Sequence, residues 1–280
     1  MEKEIKKTIA FFDKAFNTLF SLVKILIKSK LTGGNFPKLN SSTCIVMGNG
    51  PSLKISLEED LSFIQKQTLF CVNSFALTKE YKLLKPANYV MIDPGYWDKD
   101  REDSKITLAA IIRETTWELN VYMPYDAAAS EQVKNLSKAN PNIKIHYHNY
   151  VVFKGFKKIA HFFYTKGLAM PQCQNVVVAS LFIAINSGIK NIYLIGADQN
   201  WHLNTVVNEK NELCMNDAHF YNSNDPRVLK NLTMELFFQS LVKLFVGYNN
   251  LQAFANAKKA TIYNASKTSF IDAFPRKKLE

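Results

Sequence analysis

The stretch "TCIVMGNGPSLK", Thr43 to Lys54, decides how this chain is read. An apolar run, Cys44-Ile45-Val46-Met47, has the length and β-branched content of a buried strand. It breaks into Gly48-Asn49-Gly50-Pro51-Ser52, and a helix-like pattern follows. Two glycines let backbone N–H groups approach a ligand, and Ser52 can cap the next helix near an anion. A dinucleotide fingerprint would add a third glycine and an acid about twenty residues on. Leu53 stands where that glycine would be, and the next strand ends in Asn73. The pattern GxxxxGK[ST] is also missing, so NAD and P-loop readings are disfavoured.

Working outward, short β-rich runs alternate with helical patterns. The predicted strands are 43–47, 68–72, 88–92, 119–123, 143–148, 191–196 and 260–263; the predicted helices are 57–66, 105–117, 129–138, 174–187 and 227–247. This alternation implies an α/β fold: a Rossmann-like, mostly parallel sheet with helices on both faces. Ligands of such sheets sit outside the carboxyl ends of the strands. Those ends carry Asn73-Ser74, Asp93-Pro94 and Gly196-Ala197-Asp198 in addition to the Gly48–Ser52 turn. Amide, hydroxyl and carboxylate groups on tight turns suit hydrogen bonding to a ribose, a base edge or a phosphate.

At 280 residues, with 47% hydrophobic and 21% charged residues, the chain can bury a full α/β core. Its formal charge of +11 favours anionic substrates or anionic membrane surfaces. Nucleic acid is not expected, because no recognised binding motif accompanies the charge. Cys44, Cys71, Cys173 and Cys214 are far apart, and three of them, in or beside apolar runs, read as reduced core residues; the chain is expected in the cytoplasm.

Residues 1–34 stand apart. Ile5, Ile9, Phe12, Phe16, Leu19, Val23 and Leu26 recur at helical spacing, seven lysines outnumber three acids up to Lys30, and Gly33-Gly34 ends the pattern. The segment reads as a basic amphipathic helix lying on a membrane, peripheral on the inner face of the cell membrane. The other reading packs it on its own domain or on a partner subunit, and a homo-oligomer stays open. Residues 40–280 would form the catalytic domain, with a lid near 203–226 in a stretch lacking clear helix or strand periodicity over 208–226.

"IVMGNGPSL", "FCVNSF", "SGIKNIYLIGAD" and "TIYNASKTSFIDAFPR" resemble, in order and spacing, segments of the bacterial sialyltransferases of glycosyltransferase family 42 and of a broader DUF115-like group of surface-glycan proteins. The resemblance covers roughly residues 43–275 and is weak over 100–165. It implies a GT-A-like variant of the Rossmann-like fold that binds a CMP-activated sugar. It places nucleotide contacts at Asn49, Gly50, Pro51, Ser52, Asn73 and Asp93; the strand ends and later loops add Ser74, Gly196, Asp198, Tyr221, Asn264 and Ser266 as candidate donor contacts, with Gln174 and Asn175 standing where the family carries Arg-x-Thr-Ser-Gly. The family's catalytic-base histidine matches His219 in "NDAHFYN". A histidine titrating near neutrality suits removal of a proton from an acceptor hydroxyl. His202, in "ADQNWHLN", competes for that role, whereas His146, His148 and His161 read as structural.

The sequence departs from the family on the leaving-group side. Gln199-Asn200-Trp201-His202 stands where the sialyltransferases carry tyrosines, so another CMP-linked 2-keto sugar acid such as Kdo fits as well. Asp98-Lys99-Asp100 is formally a metal-binding DxD but lies in a charge-rich run, and a CMP donor needs no metal or other cofactor. The expectation is a metal-independent, inverting glycosyltransferase acting on a glycan or glycolipid acceptor. Two alternatives are a Mg²⁺-dependent pterin or nucleotide diphosphokinase using Asp93, Asp98 and Asp100, and a non-catalytic partner in glycan assembly.

Overall fold

A computed structural model describes residues 1–98, 101–216 and 226–279. Seven strands form one all-parallel sheet: β1 (Thr43–Met47), β2 (Thr68–Val72), β3 (Asn88–Val90), β4 (Leu119–Pro124), β5 (Ile143–His148), β6 (Asn191–Ile195) and β10 (Thr261–Asn264), in the spatial order β10-β6-β1-β2-β3-β4-β5. The order runs outward from β1 in both directions, so the topological switch lies between β1 and β6. That crevice is where an open parallel sheet binds its ligand.

Helices cover both faces. On one side pack α2 (Ser52–Glu59), α3 (Leu61–Ile64), α4 (Lys79–Leu84), α5 (Glu102–Glu114) and α6 (Glu131–Ala139), whose Leu53, Ile64, Tyr81, Leu108 and Leu136 meet Ile45, Cys71 and Val121 of the sheet. On the other pack α7 (Lys157–Thr165), α8 (Val176–Asn186) and α9 (Met234–Ala257). Every residue of α8 is buried. Its valines and isoleucines have modest helix propensity, and enclosure between the sheet and α9 outweighs it. The Asn175 side chain starts that helix by accepting from the Val178 N–H at 3.1 Å.

The structure corrects several boundaries. α9 starts at Met234, capped by Thr233, whose hydroxyl accepts from the Leu236 N–H, and runs ten residues beyond 247. Helices α4 and α7 were not expected: α4 is short, and the apolar positions of α7 are crowded by aromatics. The 208–226 region contains regular structure, since β8 (Leu213–Asn216) pairs antiparallel with β7 (Thr205–Val207) and β9 (Pro226–Val228). All four cysteines are free and buried. His161 lies half-buried against Tyr164 and Phe254 rather than in the core.

Helix α1 (Glu2–Lys28) settles on the domain through its polar side. Thr18, Ser21 and Ile25 are its buried residues. The Thr18 hydroxyl accepts from the Phe156 N–H at 3.0 Å, and Ser21 Oγ donates to the Lys154 carbonyl and accepts from its N–H. The Asn149 side chain then clamps the Lys30 N–H and C=O just past the helix end.

His148 closes β5 in complete burial beside Gly34 and Phe36 of the segment after α1. Burial lowers its pKa from an ordinary 6.5 to about 4. The folded state therefore holds it neutral while the unfolded chain protonates it. The stability this provides is full above about pH 6.5 and is lost as pH falls towards 4. His146 and His161 are shifted the same way by burial and by Lys144 and Lys157 respectively. We expect His148→Leu to remove about 3 kcal/mol of the pH dependence of unfolding between pH 7 and 4. Urea titrations across that range check this; an unchanged slope would refute it.

Candidate functional site

At the switch point the turns after β1 and β6 run backbone against backbone. The Gly48 N–H donates to the Ile195 carbonyl and the Gly50 N–H to the Gly196 carbonyl, each at 2.8 Å. Contact this close leaves no room for side chains. A Cβ on Gly48 would lie 2.4 Å from the Gly196 oxygen, and Gly196 itself has φ +63°. Two of the glycines noticed in the sequence thus serve loop-to-loop packing.

Asp198 is the centre of this joint and is 4% exposed. One carboxylate oxygen accepts from the Ser52 N–H at 3.2 Å, and the other accepts from the Thr268 hydroxyl. Its carbonyl takes the Phe270 N–H. The carboxylate therefore supplies the anion that a helix N-terminus attracts, at the start of α2. The next two amides are also engaged, Leu53 N–H with the Gly50 carbonyl and Lys54 N–H with the Pro51 carbonyl. A phosphate cradled on this terminus, as in dinucleotide and P-loop sites, would have to displace the protein's own bonds.

The other residues expected at the site divide by what holds them. Asn49 is buried, and its amide donates to the Val72 carbonyl, tying the first loop to β2. Asn264 and Ser266 are completely buried and brace β10: Asn264 Nδ2 donates to the Ile271 carbonyl, and Ser266 Oγ bridges Leu194 and Ala197. Asn175 caps α8 and donates to the Tyr248 hydroxyl at 3.2 Å. Asp93 accepts from the Gly95 N–H and pairs with Arg101 at 3.1 Å, which also pairs with Asp103. For these residues the turn and strand-end chemistry goes first into the fold. Gln174 and Pro51 are exposed at the same edge.

Three groups there remain uncommitted. Ser52 Oγ and Gln199 Oε1 are buried with no hydrogen-bond partner among the described residues. Asn73 is half-buried with φ +51°, its carbonyl taking the hydroxyl of buried Tyr89, and no described hydrogen bond engages its side-chain amide. Ser74, beside it, accepts from Thr107 at 3.4 Å. Buried polar atoms without partners are uncommon in folded proteins and cluster where a ligand or water completes them. His202 stands at the rim, half-buried and edge-on to Phe270 at 4.6 Å. His219 and Tyr221 lie outside the described residues.

Gln199 and Thr268 were missed from the sequence. Gln199 has φ +54°, a conformation seldom taken by glutamine and invisible in composition. Thr268 sits in "NASKTS" after the last strand, where a cluster of small polar residues was the available signal. A hollow of about 310 Å³ at the end of β10 is lined by Asn264, Ser266, Lys267, Arg276, Lys277 and Lys278, which brings positive charge to this side of the carboxyl edge.

The sheet order and the convergent turns define a Rossmann-like α/β protein. Among solved structures, the chain is similar to the MAf glycosyltransferase from Magnetospirillum magneticum AMB-1, with a TM-score of 0.51 and 10% identity over 90% of this chain. At that identity the likeness is one of fold. The match takes in 36% of the other chain, so this protein spans about a third of its length. No protein-family model matches the chain, and no curated protein matches it.

Proposed function

We propose that the chain is a glycosyltransferase that takes a sugar from a CMP-linked donor, a 2-keto acid such as sialic acid or Kdo, and passes it to a surface or lipid-linked glycan. The observation that carries this reading is the set of uncommitted polar groups at the switch point. Ser52 Oγ and Gln199 Oε1 offer a hydroxyl and an acceptor to a buried ligand, and the Asn73 amide, one strand over, offers both a donor and an acceptor. The occupied start of α2 favours a nucleoside monophosphate held by side chains over a diphosphate held by helix amides. The likeness of fold to a glycosyltransferase supports the same class.

In this reading a histidine removes the proton of the acceptor hydroxyl. That oxygen attacks the anomeric carbon from the face opposite CMP, and the bond to the phosphate oxygen breaks with inversion. His219 is assigned as the base and Tyr221 to the leaving group, with His202 the second choice for the base. No metal enters the step. The kinase alternative would need Asp93, which Arg101 and the Gly95 N–H already hold.

Isothermal titration with CMP, CDP, UDP and ATP, with and without Mg²⁺, tests the donor class. Binding of CMP independent of metal is the expected result, and ATP binding that requires Mg²⁺ would overturn it. Asn73→Ala should weaken CMP binding about tenfold, the worth of one hydrogen bond at a desolvated site. If His219→Ala leaves sugar transfer unchanged, the base assignment is wrong.

A further inference from the structure

Helix α1 presents its apolar side to solvent. The seven residues that define its apolar stripe, Ile5, Ile9, Phe12, Phe16, Leu19, Val23 and Leu26, are between 43% and 72% exposed. Amphipathic helices of globular domains turn that stripe inward. Here the inward side is instead fixed by Thr18, Ser21 and Ile25, so the outward orientation is built in.

The strap that receives α1, residues 153–155, also forms one wall of a groove of about 380 Å³ between α7 and α9. Phe153, Tyr164, Val242 and Val246 give it an apolar lining, Lys154, Lys157 and Lys243 stand along it, and no carboxylate is among its lining residues. Gly155 touches Thr18 in the middle of α1, and the Phe156 ring lies 5.5 Å from that of Phe11. Helix α1 and the groove wall therefore adjoin through this strap, on the side of the helix opposite its apolar stripe. An apolar strip of this size flanked by lysines departs from the scattered surface apolar residues of ordinary soluble domains.

We propose that α1 and the α7–α9 groove form one docking surface for an anionic phospholipid bilayer: the α1 stripe sinks to the acyl boundary, and the groove lysines meet headgroup phosphates. The positive charge complements an anionic leaflet, and the apolar stripe supplies the insertion that a purely ionic contact lacks. No helix among the described residues is long and apolar enough to cross a membrane, so the contact is interfacial. Because α1 is hydrogen-bonded to the domain at Thr18 and Ser21 and its Phe11 ring meets Phe156, attachment also fixes how the domain faces the lipid.

The test is flotation of the full chain with vesicles of phosphatidylcholine alone or mixed with phosphatidylglycerol, with folding checked by circular dichroism. Binding to the mixed vesicles and not to phosphatidylcholine alone, reduced by salt, is expected. The exposed triple variant Phe12→Ser/Phe16→Ser/Leu19→Ser should lose about a hundredfold in partitioning, and Lys154→Glu/Lys157→Glu/Lys243→Glu about tenfold or more. A wild-type chain that stays off mixed vesicles, or an apolar variant that binds undiminished, overturns the proposal. So does a wild-type dimer in sedimentation that the apolar variant makes monomeric without any vesicle binding, since a second copy would then be the occupant. Charge reversal without effect would exclude the groove. CMP titration of the same variants separates failure here from failure of the donor assignment.

Discussion

Asp198→Ala is expected to destabilise the protein by about 4 kcal/mol, because the buried carboxylate makes two charge-assisted hydrogen bonds worth about 1.5–3 kcal/mol each. The Ser52 N–H and the Thr268 hydroxyl would both lose their acceptor, one buried at the start of α2 and one in the loop after β10. The loss is more than local, since Asp198 joins three segments far apart in the chain: the first loop, the β6 end and the loop after β10. Asp198→Asn keeps the shape and one acceptor but turns an N–H₂ towards one of two donors, so it should recover roughly half of the loss. Urea unfolding followed by fluorescence measures both. A loss below about 1 kcal/mol for the alanine variant would mean that water replaces the carboxylate and that the joint contributes little.

The same residue shows how far the sequence could be read. The strand ends were legible because apolar runs such as Cys44–Met47 and Ile192–Ile195 break at once into small polar residues, and every such break falls at the carboxyl edge of the parallel sheet. Burial periodicity also located α1 and its stripe. What periodicity cannot give is the direction in which a stripe points, and here hydroxyls at Thr18 and Ser21 turned it outward. Nor can residue type separate a group that binds a ligand from one that holds its own turn. Asp93, Asn175, Asn264 and Ser266 have the chemistry of a site and spend it on neighbouring backbone or on Arg101. Gln199 Oε1 and Ser52 Oγ differ from them in lacking a described partner, which depends on three-dimensional placement. The boundaries missed in 208–226 have a similar cause: β7, β8 and β9 are strands of three or four residues whose pairing sets them more than their pattern does.

Gly50→Ala should cost about 4 kcal/mol, and its effect should shrink when Asp198 is also replaced. The added Cβ would sit 2.1 Å from the Asp198 carboxylate oxygen and 2.8 Å from the Gly196 carbonyl oxygen, both closer than side-chain carbons approach. Gly50 has an ordinary φ, so the penalty is steric rather than conformational. The carboxylate cannot simply swing aside, because the Ser52 N–H and the Thr268 hydroxyl hold its two oxygens. Overpacking of this kind costs about 1–3 kcal/mol, and loss of the Ser52 bond adds about 1.5–3 more. In Asp198→Ala the nearer obstacle is gone and that bond is already lost, leaving only the Gly196 carbonyl. The double variant should then be more stable than the sum of the single losses predicts by at least about 1 kcal/mol, the coupling expected of residues in contact. Chemical denaturation of the four proteins in the cycle gives that number. Strict additivity would show that the first loop relieves the clash by moving away from β6, and that the two turns are not one rigid joint.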